Sequence, residues 1–348
     1  MEVAMFFKTD MGIDLGTANT LIFMKDRGIV LNEPSVIAID KLNHKVMAVG
    51  EVAKKMVGKT PASIEVIRPL REGVISDFDM TAEMIRAFIS RALDNKKTHN
   101  LRISIGVPSG VTEVEKRAVE EVVRQMGARE VYILEEPMAA AIGSNLAIDE
   151  AEACMICDIG GGTTDIAIIA LGGIVTSTSL RYAGDKLNEA VILYMRKNFN
   201  LLIGDKTAED LKIKIGCAMI ELDEEGNEVR KTELARGRNV ISGLPATEEV
   251  TNYNMLEALE ESVEIIVDGI KQTLEKAPPE ISADIVNNGM VLSGGGGMLS
   301  QLDKLITKRT GMNVTVQDNA FEAVALGTGK SLEDLEKLKR YACVSSDR

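Results

Sequence analysis

Apolar positions in this chain recur with two periods, and the order in which the periods alternate predicts the architecture. Runs at 11–24, 35–39, 45–49 and 101–107 read as strands, the first doubling back as a hairpin, with Asn32-Glu33-Pro34 as a turn. Residues 80–93 carry Met84, Ile85, Phe88, Ile89 and Leu93 at helical spacing. Thr112-Glu113-Val114-Glu115 is a capping box that opens a helix, and Gly127 closes it. A strand at 131–134 leads to Glu135-Glu136, and Pro137 then opens an Ala-rich helix. Strands alternating with helices in this way mark an α/β fold.

The second half begins the pattern again. A hairpin restarts near Ala153, helices follow at 187–199 and 255–276, and Pro278-Pro279 stops the latter. Thr207-Ala208-Glu209-Asp210 reads as another capping box, starting a helix that runs to about Cys217. Residues 221–237 are charged and read as a surface hairpin or loop. A buried strand at 289–292 enters a four-glycine turn, Gly294 to Gly297, with helix expected from Met298 onward. Gly327 to Gly329 reads as a turn before an amphipathic C-terminal helix carrying Leu332, Leu335 and Leu338. Nothing between the halves resembles a flexible linker, so two packed lobes with a hinge are expected.

One short pattern occurs in both halves. Ile13-Asp14-Leu15-Gly16-Thr17-Ala18-Asn19-Thr20 matches Cys157-Asp158-Ile159-Gly160-Gly161-Gly162-Thr163-Thr164 in strand, Asp, glycine turn, hydroxyl residues and second strand. Each reads as a hairpin whose tip passes close to something that tolerates no side chain. Two such tips facing across a cleft aim amides and a carboxylate inward, which suits a polyphosphate and its magnesium ion. Two ordinary tight hairpins are the plainer alternative, and the matched flanks weigh against it.

Asp14 and Asp158 are then hard oxygen ligands for magnesium, held mostly through its waters, or else solvated turn aspartates. Glu136, at a strand-to-helix junction, either activates a water against the terminal phosphate or stabilises its own helix; spacing alone leaves this open. Glu135 is expected to point away. The Gly294–Gly297 turn suits close approach to a base or ribose. Glu209 and Lys212 share a helix face and either pinch a ribose and base or form a surface ion pair. Gly329-Lys330-Ser331 mimics the end of a P-loop, but Val324 stands where that motif needs Gly, and no apolar strand leads into it.

Composition narrows the classes. The 348 residues are 45% hydrophobic but only 3% aromatic, without Trp, enough for two aliphatic cores. A net charge of −13 argues against nucleic acid as a partner and requires any nucleotide to be held by local amides, metal and a few cations. His44 and His99 are too few and too far apart for a triad or a His-rich metal site. Cys154 and Cys157 have redox spacing but lie in an apolar strand, so with Cys217 and Cys343 they read as buried thiols. No signal peptide is evident, and the longest apolar run, 155–175, is broken by Asp158 and Asp165, so a cytoplasmic chain is expected.

Phosphate hairpin, second phosphate hairpin and late glycine turn, in that order, resemble the actin superfamily. The stretches LGTANTLIF, GIVLNEPSV, AREVYILEEPMAAAIGSNL, DIGGGTTDIAII, TAEDLKIKIG and GMVLSGGGGML narrow the resemblance to its bacterial, rod-shape-determining branch, over 11–335. The resemblance implies an actin-like ATPase fold: two duplicated ribonuclease-H-like lobes around a nucleotide cleft, each with a smaller subdomain. It places the first lobe at 1–142, with about 320–348 packing back on it, and the second at 143–319. It implies ATP with Mg2+, slow hydrolysis, and homopolymeric filaments at the inner face of the cytoplasmic membrane that direct peptidoglycan synthesis with the cell-wall elongation machinery and set rod shape.

Carried over by residue, Gly16, Thr17, Ala18 and Asn19 match the first phosphate loop and Gly160, Gly161, Gly162 and Thr163 the second. Asp14 and Asp158 match the magnesium-associated acids, and Glu136 the hydrolytic position. Glu209, Lys212, Gly294, Gly295, Gly296, Gly297 and Met298 match nucleoside-contacting positions, with Gly184 and Asp185 less distinctive. Asp165 stands where the branch usually has Glu, and Gly297 where Ala is usual. The apolar N-terminus, with Val3, Met5, Phe6 and Phe7, reads as a membrane anchor or else as a disordered end, and the loop at 95–100 offers lysines instead of a greasy tip. Rival readings on the same fold are a sugar-type kinase, a chaperone-like ATPase and a scaffold that binds ATP without cleaving it.

Overall fold

The computed structural model describes residues 9–94, 101–342 and, in backbone alone, 344–347. The expected anchor residues Val3, Met5, Phe6 and Phe7, the 95–100 loop and Cys343 lie outside the described residues.

Two sheets repeat one plan. The first has six strands in the order Val344–Asp347, Ala128–Glu135, Leu101–Val107, Thr9–Leu15, Asn19–Met24 and Gly28–Pro34. The second has five: Gly173–Leu180, Thr164–Ala170, Cys154–Ile159, Met290–Ser293 and Val314–Val316. Each begins with an antiparallel meander whose first strand then pairs in parallel with a strand much later in the chain. The parallel pairing needs crossover segments, and helices such as Phe78–Ala92 and Asn252–Glu275 supply them.

Each lobe carries an inserted three-stranded sheet. In the first it is Ile37–Asp40, Val46–Val49 and Ile64–Ile67; in the second, Leu201–Leu202, Thr232–Asn239 and Pro245–Thr251. The 221–237 segment is therefore exposed at its start, with an isolated bridge between Leu222 and Glu228, and a strand at its end.

Between the two sheets lie the helices Glu136–Gly143 and Ala323–Ser331, in a buried cluster that takes Tyr132 and Leu134 from one sheet and Ile156, Ala167 and Ile169 from the other. Glycine makes this crossing possible. A β-carbon on Gly327 would stand 1.7 Å from the carbonyl oxygen of Ala139, and one on Gly143 would stand 1.9 Å from that of Ala323. The turn expected at Gly327 to Gly329 is thus corrected to the interior of a buried helix, because close approach rather than chain reversal requires glycine there. Val344–Asp347 pairs antiparallel with Ala128–Glu135, so the C-terminal segment returns to the first sheet.

Four further expectations change. Asn32, Glu33 and Pro34 belong to a strand, not a turn; it is the sheet's edge strand, where proline's missing N–H breaks no ladder. Thr207 caps nothing, because the helix starts two residues earlier at Asp205, behind Gly204. Pro279 opens the helix Pro279–Asn288 after stopping its predecessor. Gly294–Gly297 coils into a single helical turn that ends at Met298, and the next helix waits until Leu302, after Gln301 takes a left-handed conformation. The Thr112 capping box forms as expected, with Glu115 reciprocating.

Candidate functional site

The two hairpin tips meet over one cleft of about 460 Å³, a volume suited to a nucleotide. Its walls include Gly16, Thr17, Ala18 and Asn19 from the first tip and Gly160, Gly161, Gly162 and Thr163 from the second. The tips are strapped in place. Ser35 Oγ donates to the Gly16 carbonyl at 2.6 Å, and the Gly73 amide donates to Thr17 Oγ1 at 3.0 Å. The second tip braces the helix Gly184–Phe199: the amides of Gly184 and Asp185 donate to the carbonyls of Gly160 and Gly161 at 3.1 and 2.8 Å. That brace carries Gly184 and Asp185 to the cleft wall.

Acidic groups line the floor. Asp14 and Asp158, at matched places in the two sheets, and Glu136, at the mouth of its helix, all border the cavity. Burial, then the charge of Asp158, pushes the Asp14 carboxyl up to about 8. Burial alone raises Asp158 to about 6, against a 2.6 Å hydrogen bond donated by Ser293 Oγ to its Oδ1. Glu136 is raised well above the carboxylate range by burial, then by Asp165, Asp14 and Asp158. Four acids gathered without a basic partner fit a cation that compensates them. Among the described residues no three acidic, His or Cys side chains converge as a direct metal cage.

The Glu135–Glu136 pair divides as the strand-to-helix junction requires. Glu136 faces the cleft, whereas Glu135 accepts a 2.7 Å hydrogen bond from Ser109 Oγ behind it. The Ser109 amide also donates to Asp165 Oδ1 at 2.8 Å, leaving the buried Oδ2 of Asp165 unpartnered. Asn188 Oδ1, in the cleft wall, is likewise buried without a partner, as a group awaiting a ligand would be.

Glu209, Lys212, Gly294, Gly295, Gly296 and Met298 border the opposite end of the cleft. Gly297 does not; a β-carbon there would stand 3.4 Å from Leu292, ordinary contact distance, so packing leaves room for the usual Ala. Glu209 and Lys212 do not pair as a hydrogen-bonded couple on their helix. Glu209 instead accepts from Lys54 Nζ at 2.8 Å, and Lys212 Nζ donates to the Gly184 carbonyl at 3.0 Å.

Known proteins resemble this chain along nearly its whole length. A family model described as MreB/Mbl protein matches residues 8–340. The chain belongs to the MreB/Mbl family. It is 46% identical over 334 residues to the cell shape-determining protein Mbl of Bacillus subtilis (strain 168), covering 96% of this chain and 98% of that one. It is 47% identical over 335 residues to the cell shape-determining protein MreB of Escherichia coli (strain K12), covering 95% of each. Among solved structures, MreB5 of Spiroplasma citri bound to ADP superposes with a TM-score of 0.88 at 34% identity, covering 95% of this chain and 98% of that chain. The fold is thus the actin-like one.

In this MreB/Mbl chain the cleft has an apolar border that the sequence marked only at Met298. Ile213 and Phe321 join it there, and Phe321 lies 3.3 Å from where a β-carbon of Gly295 would be. Phe321 comes from a separate, late segment, so no local pattern marks it. Ile213 is apolar yet off the buried 208, 211 and 215 face of its helix, a break in periodicity that the sequence does carry. The thiols of Cys157 and Cys217 are buried and Cys154 is half-buried, and among the described residues all three are free.

Proposed function

We propose that this chain is a slow, Mg2+-dependent ATPase of the bacterial cytoskeleton, assembling into filaments that fix rod shape. The observation that carries the reading is the pair of glycine tips, with Asp14 and Asp158 behind them, converging on one cleft. Backbone amides of 16–19 and 161–163 supply donors for the phosphate oxygens, the Gly160 amide being held by the Thr163 carbonyl at 2.9 Å. Asp14 and Asp158 would hold a magnesium ion, which would supply neutralising charge to the phosphates. Glu136 takes the proton of the attacking water, from its place facing the cleft at the strand-to-helix junction. Ile213, Met298 and Phe321 offer apolar surface to the base, and Glu209 and Asp185 acceptors to the ribose.

Support for a nucleotide comes from MreB5, seen with ADP and also with AMPPNP, and for shape determination from the names of Mbl and MreB. In this reading the filaments lie at the inner face of the cytoplasmic membrane, held by weak contacts multiplied along the polymer, and guide the wall-synthesis machinery. Among the described residues no helix is long and apolar enough to cross a membrane. The test is phosphate release and high-speed pelleting of purified protein with Mg·ATP, with electron microscopy in the presence and absence of anionic vesicles. Turnover that needs an added sugar, or absence of polymer under all these conditions, overturns the reading.

A further inference from the structure

The first-lobe insert meets the second lobe at the mouth of the cleft through charge. Lys54, the last residue of the helix Glu51–Lys54, places Nζ 2.8 Å from Glu209 Oε2. Arg68, just past the strand Ile64–Ile67, places Nη1 3.0 Å from Asp185 Oδ1. Both acceptors border the cavity, Asp185 in the first turn of the helix Gly184–Phe199 and Glu209 in the middle of Asp205–Ile215; neither cation borders it. The four side chains are 28–36% exposed, so the pairs are shielded more than surface ion pairs yet remain open to salt.

Two separate cations from one lobe thus hold two acids of the other, and both acids border the same cavity. Lys212 lies among them, its Nζ tied to the Gly184 carbonyl, and it feels the charges of all four. That leaves three cations against two carboxylates at this edge, a local surplus of positive charge in a chain whose net charge is −13. Glu209 and Asp185, the acids these pairs hold, both border the cavity that would take the nucleotide.

We propose that Lys54 and Arg68 are positioning residues that clasp the first-lobe insert to the helices bearing Glu209 and Asp185, and so slow nucleotide release. The proposal rests on the nucleotide reading above. The clasp adds no contact to the nucleotide itself; it orients two acceptors and closes the exit. Opening it exposes the bound nucleotide, and the rate of that opening sets how long one nucleotide state persists.

The experiment measures dissociation of a fluorescent N-methylanthraniloyl-ATP, chased with excess ATP, from full-length unassembled protein with Mg2+. Lys54→Ala and Arg68→Ala each accelerate release, and the double variant does so by roughly three- to tenfold at low salt, as two partly shielded pairs imply. The difference from the unsubstituted protein shrinks in about 0.5 M salt, where the Debye length falls to a few ångström. Lys54→Arg and Arg68→Lys restore slow release, which a merely structural role would not require, and melting temperatures stay alike. Equal release rates at low salt, or a difference that salt leaves untouched, overturn the clasp while leaving nucleotide binding intact. Failure of the unsubstituted protein to bind the fluorescent ATP overturns both.

Discussion

Gly161 and Ala18 meet across the cleft so closely that a β-carbon on Gly161 would stand 2.5 Å from the Ala18 methyl. The next pair repeats the fit: a β-carbon on Gly162 would stand 2.5 Å from Thr17 Oγ1. Neither glycine has a positive φ, so spacing between the lobes, not backbone conformation, demands them. Gly161→Ala therefore wedges the tips apart. The expected outcome is a loss of ATP affinity of roughly ten- to a hundredfold, the equivalent of 1–3 kcal/mol of overpacking, with the far-ultraviolet circular dichroism unchanged. Isothermal titration with Mg·ATP checks it, and unaltered affinity would show that the tips have slack.

Glu136 is separable from binding. Glu136→Gln keeps the shape and removes the proton acceptor, so phosphate release in a single-turnover assay falls by about two to four orders of magnitude. Nucleotide affinity stays within a few fold, because the tips and the aspartates are untouched. Persistence of release near the original rate would assign the proton to another group.

The acidic floor makes stability depend on pH in a definite direction. Asp14 and Asp158 have folded-state values of about 8 and about 6, above the ordinary 3.8. The folded state thus binds more protons than the unfolded one, and the stability these groups contribute is complete below about pH 4 and lost as pH rises through 6 and 8. Without nucleotide and metal, the melting temperature should fall from pH 6 to pH 8.5. Mg·ATP should stabilise more at the higher pH, where binding the cation competes with no proton. Differential scanning calorimetry of both forms decides it; stabilisation by Mg·ATP that weakens as pH rises would contradict the arrangement.

The crossing of the two central helices is tight enough to predict a folding defect. Gly327→Ala places a methyl group against the Ala139 carbonyl, which stands 1.7 Å from that position, so one helix must shift. A cost of about 1–3 kcal/mol or more is expected in urea denaturation, since both helices are buried. A midpoint equal to that of the unsubstituted protein would mean the helices can separate freely.

What could be read from the sequence was local. The two Asp–glycine hairpins, the Leu101–Val107 strand, the Thr112 cap and the Glu136-Pro137 junction each depend on residues within a few positions of one another, where backbone preference and hydrogen bonding act without help. The Thr207 cap failed because a fitting motif competes with its neighbours: Asp205 at the first helical position already favours an earlier start.

The sequence by itself determined that two acidic, glycine-tipped hairpins exist, that they are duplicates, and that Glu136 follows a strand into a helix. Only the tertiary structure decided that Pro34 sits on a sheet edge, that Gly327 lies inside a helix against Ala139, that Phe321 reaches the cleft, and that Lys54 and Arg68 hold Glu209 and Asp185. The reason is range. Periodicity and capping arise from forces along a few residues of chain, whereas an edge, a helix crossing or an ion pair between lobes exists only once segments far apart in sequence have packed together.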